Sequence, residues 1–383
     1  MCKSADGLGA NRPAPELVCP ELVCPELVCI AVECTTIGSV DLPVAPPVEP
    51  MLAKAQAKVP SEPGVWSYEP KWDGFRAVVF RDGDEVVMQS RNGKELGRYF
   101  PELITALRDE LAPRCVLDGE VVVPREIDGR VRLDWDSLSG RIHPAESRVR
   151  MLAEQTPAHF IGFDALAVGD RSLMAEPFRV RRSALTESVG EGDWCHVTRT
   201  TEDPGLATGW FETFEGAGLD GVVAKRLAGL YLPGKREMVK VKHARDADCV
   251  VMGYRIHKSG VGLGSLLLGL YRGDGDIEMV GGAASFSTRD RIALLAELEP
   301  LRIGEGIVND GEPSRWNAAA DKRWIPVRRE RVAQVAYDQM EGSRFRHTVR
   351  FLRWRPDREP RSCTFDQLDV PVDYDLYDVL ETR

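Results

Sequence analysis

Glu69-Pro70-Lys71-Trp72-Asp73-Gly74-Phe75-Arg76 sets a lysine between a glutamate and an Asp-Gly turn. A lysine attacks the α-phosphate of a nucleotide only as the free amine. With an ordinary lysine pKa of about 10.4, roughly one in a few thousand is in that form at neutral pH. A nucleophilic lysine therefore needs shielding from water or neighbouring cations. Gly74 leaves the loop after Lys71 room for close backbone approach to a ligand. Taken alone, Lys-x-Asp-Gly is also the composition of a surface turn. The charged and aromatic groups that recur downstream, in order, are what set it apart.

Ser90-Arg91-Asn92-Gly93 follows an extended run and reads as a hairpin turn, or as a cation facing a ribose or phosphate. Leu117-Asp118-Gly119-Glu120 opens the apolar run Val121-Val122-Val123, and an acidic pair there is costly unless solvated or bound. Phe163-Asp164 ends another apolar run, with Phe163 either core or a stacking partner for a base. Asp220-Gly221-Val222-Val223-Ala224-Lys225 separates a carboxylate and a lysine by five positions, so strand alternation turns them to opposite faces and different partners. Lys240-Val241-Lys242 puts two ammonium groups on one face, where they repel unless an anion such as a triphosphate lies between them. Gly229 to Lys235 nearly fits a P-loop, but Arg236 stands where the Mg²⁺-binding Ser/Thr belongs.

With 383 residues, 43% hydrophobic and 29% charged, the chain has room for two or three domains. Its net charge of −10 argues weakly against a general nucleic-acid binder, yet Ser314 to Arg361 holds 13 Arg/Lys against 6 Asp/Glu. Trp316, Trp324, Tyr337, Phe345, Phe351 and Trp354 are interleaved there, as on a phosphate-contacting surface or a solvated basic face. Five of nine cysteines fall in the first 34 residues and none forms a C-x-x-C pair, so reduced thiols are expected and a zinc site is not. The longest apolar run, near Leu263–Leu270, is well short of the roughly 18 residues of a membrane span. Glutamates interrupt the apolar stretches near the N-terminus, so no leader and a cytoplasmic location are expected.

Pro-Glu-Leu-Val-Cys occurs three times in tandem from Pro15 to Cys29, and its recurring prolines forbid a continuous helix. Residues 1–40 are expected to be a disordered, low-complexity extension. From 41 to 245, strands at Arg76–Phe80, Glu85–Ser90, Cys115–Val123, His159–Leu166 and Gly221–Lys225 alternate with helices at Phe100–Leu111 and Leu206–Gly216. Asp203-Pro204 opens the second helix. From 246 to 367 the texture becomes five short strands with one inserted helix, Thr288–Leu298, as in a small OB-type barrel. Residues 368–383 are expected to be an acidic surface tail.

On these motifs the chain resembles the ATP-dependent DNA ligases of the covalent nucleotidyltransferase superfamily, over about Asp41 to Gln367. It looks most like the short bacterial C-type ligases linked to DNA repair. The resemblance implies an α+β adenylation domain followed by a C-terminal OB-fold β-barrel. It implies that Lys71 becomes adenylated, Glu69 reads the adenine amino group, and Arg76 and Arg91 contact ribose and phosphate. Glu120 then holds the ribose and assists the metal, Phe163 stacks on adenine, and Arg236, Lys240 and Lys242 surround the phosphates. Asp220 stands where the family usually has a metal-binding glutamate. Arg346-His347-Thr348-Val349-Arg350-Phe351-Leu352-Arg353-Trp354-Arg355 looks like the family's last motif, with Arg355 on the leaving pyrophosphate. Arg344, Arg346, Arg350 and Arg353 are the implied DNA contacts. The implied cofactors are ATP and Mg²⁺ or Mn²⁺. The implied partner is nicked double-stranded DNA, engaged at the nucleoid by a monomer without a membrane. An RNA ligase or mRNA-capping guanylyltransferase uses the same lysine chemistry. A catalytically silent nucleic-acid-binding protein with an OB module is the non-enzymatic alternative.

Overall fold

The computed structural model describes residues 40–304, 309–310, 323–369 and 372–380. The tandem repeat and Trp316 lie outside the described residues.

Apolar patterning builds two sheets between residues 52 and 241. The first runs in the order Leu52–Gln56, Arg236–Val241, Val222–Arg226, Trp66–Pro70. The second runs Cys195–Val197, His159–Val168, Arg114–Val122, Phe75–Asp82, Glu85–Ser90. The strands His159–Val168 and Arg114–Val122 are buried along nearly their whole length, so their sequences read as almost continuous apolar runs. The helix Pro101–Glu110 buries Leu103, Ala106 and Leu107 in the same core. The helix Pro204–Thr213 starts where Asp203 accepts a hydrogen bond from Gly205 N at 2.7 Å, with proline in its first turn. Phe178–Ser188 is a helix the sequence did not announce, and it sends Arg181 inward as well as Leu185.

From Arg245 a third sheet runs Ile277–Ala283, Leu263–Tyr271, Arg245–Ile256, Arg323–Pro326, while Val332–Tyr337 joins Arg245–Ile256 to Arg350–Trp354. A bridge between Ala283 and Val349 connects the free ends, so the sheet closes on itself around Val250, Leu266, Leu268, Val280 and Val335. The helix Thr288–Leu298 is capped by Ser287, which accepts from Asp290 N at 3.2 Å. The result is α+β, with a barrel following two mixed layers.

The C-terminal residues depart from the expected surface tail. Leu376 and Val379 are fully buried in the core that holds Trp210 and Phe214. Asp375 accepts from Val131 N and from Tyr377 N, both at 2.9 Å, and Tyr374 packs on Phe214. Gly216 admits this segment, since a Cβ there would lie 1.7 Å from Val372 O. Two inward side chains in an acidic stretch leave composition dominated by the outward face, which is why the sequence misled. Leu376→Ala is expected to cost about 2–5 kcal/mol of stability, read as a lower urea midpoint. An unchanged midpoint would mean this segment carries no packing energy.

Candidate active site

Two reciprocal backbone hydrogen bonds pin the Lys71 loop. Lys71 N donates to Gly221 O at 2.8 Å, and Asp220 N donates to Lys71 O at 2.9 Å. The side chains follow, with Lys71 Nζ 2.9 Å from Asp220 Oδ2. Two glycines permit the approach. A Cβ on Gly74 would sit 2.1 Å from Val121 O, and Gly221 holds φ at +120° with Val241 O where a side chain would go.

Strand register aligns the remaining groups. Glu69 stands opposite Val223, and Val223 opposite Lys240, so Glu69 and Lys240 share a row of the first sheet. In the second sheet Arg76 stands opposite Glu120. Glu69, Lys71, Arg76, Glu120, Phe163 and Asp220 line a cleft of about 950 Å³, together with Arg91, Arg236, Lys240, Lys242 and Arg346.

Asp220 is shared by two ammonium groups, with Lys242 Nζ 2.5 Å away on the same oxygen. Lys242 also lies 3.7 Å from Asp338, which faces His347 at 3.2 Å, so an ionic chain runs from Lys71 to the barrel. His347 and Lys242 hold the Asp338 carboxyl down at about 2 against its burial. Lys240 has no carboxylate within ion-pair distance among the described residues. Burial, and then the nearby charges of Lys242 and Lys71, push its pKa down. That is the unbalanced cation an anionic ligand neutralises. Burial raises the Glu120 carboxyl to about 7, although Lys71 and Arg76 pull it the other way.

Arg76 is held rigidly. It donates from Nε and Nη2 to Asp118 at 2.8 and 2.6 Å, and its guanidinium lies 4.9 Å from the centre of the Phe163 ring. Tyr231 Oη donates to the same Asp118 carboxylate at 2.6 Å.

The last motif divides differently from the sequence expectation. Arg355 is not brought to the cleft. Its backbone N donates to Val332 O at 2.8 Å, which turns the side chain onto Asp248 at 2.9 Å and Asp357 at 2.8 Å. Arg346 enters instead, paired with Asp73 and stacked 4.0 Å from the centre of the Trp135 ring. Arg344, Arg350 and Arg353 stay on the barrel outside the cleft, with Arg353 donating to Gln334 at 2.8 Å. Asp220 and Lys225 do serve different partners, as strand alternation suggested: Lys225 pairs with Glu69 at 2.9 Å.

Sequence alone did not assign Asp73, Asp118, Trp135 or Lys225 to the site. Asp118 and Lys225 carried a usable signal, each as a charge in or at the end of an apolar run that must find a partner.

A lysine held beside a carboxylate, in a cleft with further cations and an aromatic floor, on this pair of sheets followed by a barrel, defines a covalent nucleotidyltransferase. Residues 50–242 match the family described as ATP dependent DNA ligase domain, and residues 259–358 the ATP dependent DNA ligase C terminal region. The chain is 77% identical to DNA ligase C1 of Mycolicibacterium smegmatis, covering 90% of this chain and all of the relative. It is 50% identical to DNA ligase C of Mycobacterium tuberculosis, over 89% of this chain and 99% of that one. A Lig E DNA ligase structure shares the fold at 17% identity and a TM-score of 0.50, covering 80% of this chain and 99% of that chain. The chain belongs to the ATP-dependent DNA ligases, in the short bacterial C type, and is an enzyme that uses ATP.

Proposed function

We propose that this ligase seals 5′-phosphate/3′-hydroxyl nicks in duplex DNA through a Lys71–AMP intermediate. We place it in DNA repair, acting as a cytoplasmic monomer. The observation that carries this reading is Lys71 Nζ on Asp220, in one cleft with Glu120 and the uncompensated Lys240. Among the described residues no helix is long and apolar enough to cross a membrane.

In the first step Lys71 Nζ forms a bond to the α-phosphorus, the α–β phosphoanhydride breaks and pyrophosphate leaves. Asp220 Oδ2, at 2.9 Å, is placed to accept hydrogen from Nζ. Lys240 and Lys242 balance the phosphate charge, while Glu69 and Phe163 receive the base and Glu120 the ribose. Next an oxygen of the nick 5′-phosphate displaces Lys71 from the AMP phosphorus and restores the amine. The 3′-hydroxyl then attacks the activated 5′-phosphorus and AMP departs.

Glu120 and Asp220 suit a divalent ion. They are two carboxylates on one cleft, one raised by burial to about 7 so that its charge calls for a partner. No cluster of three or more metal-ligating side chains is present among the described residues. Mg²⁺ needs few protein oxygens because it keeps waters and takes phosphate oxygens. Bound there, it would supply Lewis-acid neutralisation of phosphate charge.

The test is sealing of a singly nicked duplex. It is expected with ATP and Mg²⁺ and not with NAD⁺; sealing driven only by NAD⁺ or only on RNA would overturn the proposal. Arg346→Ala is expected to slow Lys71 adduct formation about tenfold or more, and Arg355→Ala far less, in a single-turnover assay. Equal effects would remove the special place given to Arg346.

A further inference from the structure

Trp135 lines the nucleotide cleft, and the chemistry above gives it no task. It opens the helix Trp135–Gly140, which is capped by Asp134. That carboxylate accepts from Asp136 N at 3.0 Å, from Ser137 N at 3.3 Å and from Arg125 Nη1 at 2.9 Å. Phe75 packs edge-on against the indole, with ring centres 5.4 Å apart, and Phe100 stands 6.4 Å behind Phe75. The capped helix and the two phenylalanines hold the half-buried indole in one orientation. Over its face lies the Arg346 guanidinium, 4.0 Å from the ring centre.

Arg346 follows the barrel strand Arg344–Phe345. Its backbone N donates to Gln339 O at 3.1 Å, and its Nη1 to Gln339 Oε1 at 3.0 Å. The same Nη1 pairs with Asp73, two residues beyond Lys71. The side chain is only 5% exposed, and its Nε is buried without a hydrogen-bond partner among the described residues. Both polar contacts therefore converge on one nitrogen, and two bonds at one end leave the rest of the guanidinium free to turn. All five donors of a guanidinium lie in one plane. A ring stacked on that plane decides where the other end points.

We propose that Trp135 is a positioning residue for adenylate transfer: it fixes the plane of the Arg346 guanidinium, so that the N–H groups not taken by Asp73 and Gln339 stay turned to the leaving phosphates of ATP. The proposal rests on the reading of Lys71 as the nucleophile and of Arg346 as a group that speeds its adduct. Pyrophosphate gains negative charge as the α–β bond breaks. A donor already aimed at it helps the transition state more than the bound nucleotide. The effect of Trp135 therefore falls on the maximal rate and not on the KM for ATP.

The experiment follows the Lys71–AMP adduct by intact mass in single turnovers over a range of ATP with Mg²⁺. Trp135→Ala is expected to lower the maximal adduct rate about tenfold or more, with the KM for ATP within about threefold of wild type. Trp135→Phe keeps an aromatic face and recovers to within about threefold of the wild-type rate. Trp135→Leu fills the space without a π face and stays close to the alanine variant. In an Arg346→Ala background, Trp135→Ala costs less than about twofold, because the group it positions is gone. A Trp135→Ala enzyme with the wild-type rate overturns the proposal. So does a Trp135→Leu enzyme as fast as wild type, or an equal loss in both backgrounds, since either means that the indole serves packing alone. If Trp135→Ala does not fold, the leucine and phenylalanine variants and the cycle built on leucine decide in the same way. A wild-type enzyme that forms no adduct sinks the reading of Lys71 itself, whereas a normal adduct indifferent to Trp135 sinks only the role given to the indole.

Discussion

Replacing Lys71 with alanine is expected to eliminate the adenylate adduct and to lower ATP-dependent nick sealing by about 10⁴-fold or more. Among the described residues no other lysine is expected to take its place. Lys242 shares the Asp220 oxygen but approaches from the strand end, and Lys240 has no carboxylate within ion-pair distance among the described residues. Lys225 is walled off behind Glu69 and Phe163. The fold should survive, because the loop is held by backbone hydrogen bonds to Gly221 and Asp220 and by Trp72, whose Nε1 donates to Thr198 Oγ1 at 2.7 Å. The variant should therefore still join a nick supplied with its 5′-adenylate already in place, since that step needs the cleft and not the amine as nucleophile. Intact mass after incubation with ATP and magnesium, alongside a gel assay on both nick types, reads the two predictions separately. Full ATP-driven sealing by the variant would end the covalent mechanism.

Much of this arrangement is legible in the amino-acid sequence. Lys71 and Asp220 stand just beyond the ends of apolar strands and Glu120 interrupts one, where a charge is conspicuous and strand alternation limits its direction. The barrel shows through its closely spaced strands and glycine turns. Three things do not show. Arg346 and Arg355 lie in one arginine-rich run, and choosing between them requires knowing that Arg355 folds back onto Asp248 while Arg346 reaches Asp73 across the cleft. The burial of Leu376 and Val379 depends on a groove floored by Gly216, more than a hundred residues away in sequence. Lys225 shows as the charged end of a strand, but its partner, Glu69, comes from the neighbouring antiparallel strand.

Asp118→Ala is expected to remove about 3–5 kcal/mol of stability, more than an exposed ion pair could supply. Asp118 is completely buried and serves two donors at once, the Arg76 guanidinium and the Tyr231 hydroxyl. Tyr231 Oη also accepts from Met51 N at 3.1 Å, so one carboxylate ties together the strand Phe75–Asp82, the strand Arg114–Val122 and the approach to Leu52–Gln56. Alanine strands a mostly buried cation and a buried hydroxyl, and opens a small void beneath the cleft. Removing both charges tests the cause. In a double-mutant cycle with Arg76→Met, the second substitution should cost much less in the Asp118→Ala background than in the wild type, because the stranded charge has gone. Nucleotide binding should fall in both variants, since Arg76 also covers the Phe163 ring. Unfolding free energies from urea titration measure the effect. A loss below about 1 kcal/mol for Asp118→Ala would mean the network is solvated and the cleft floor is held by packing alone.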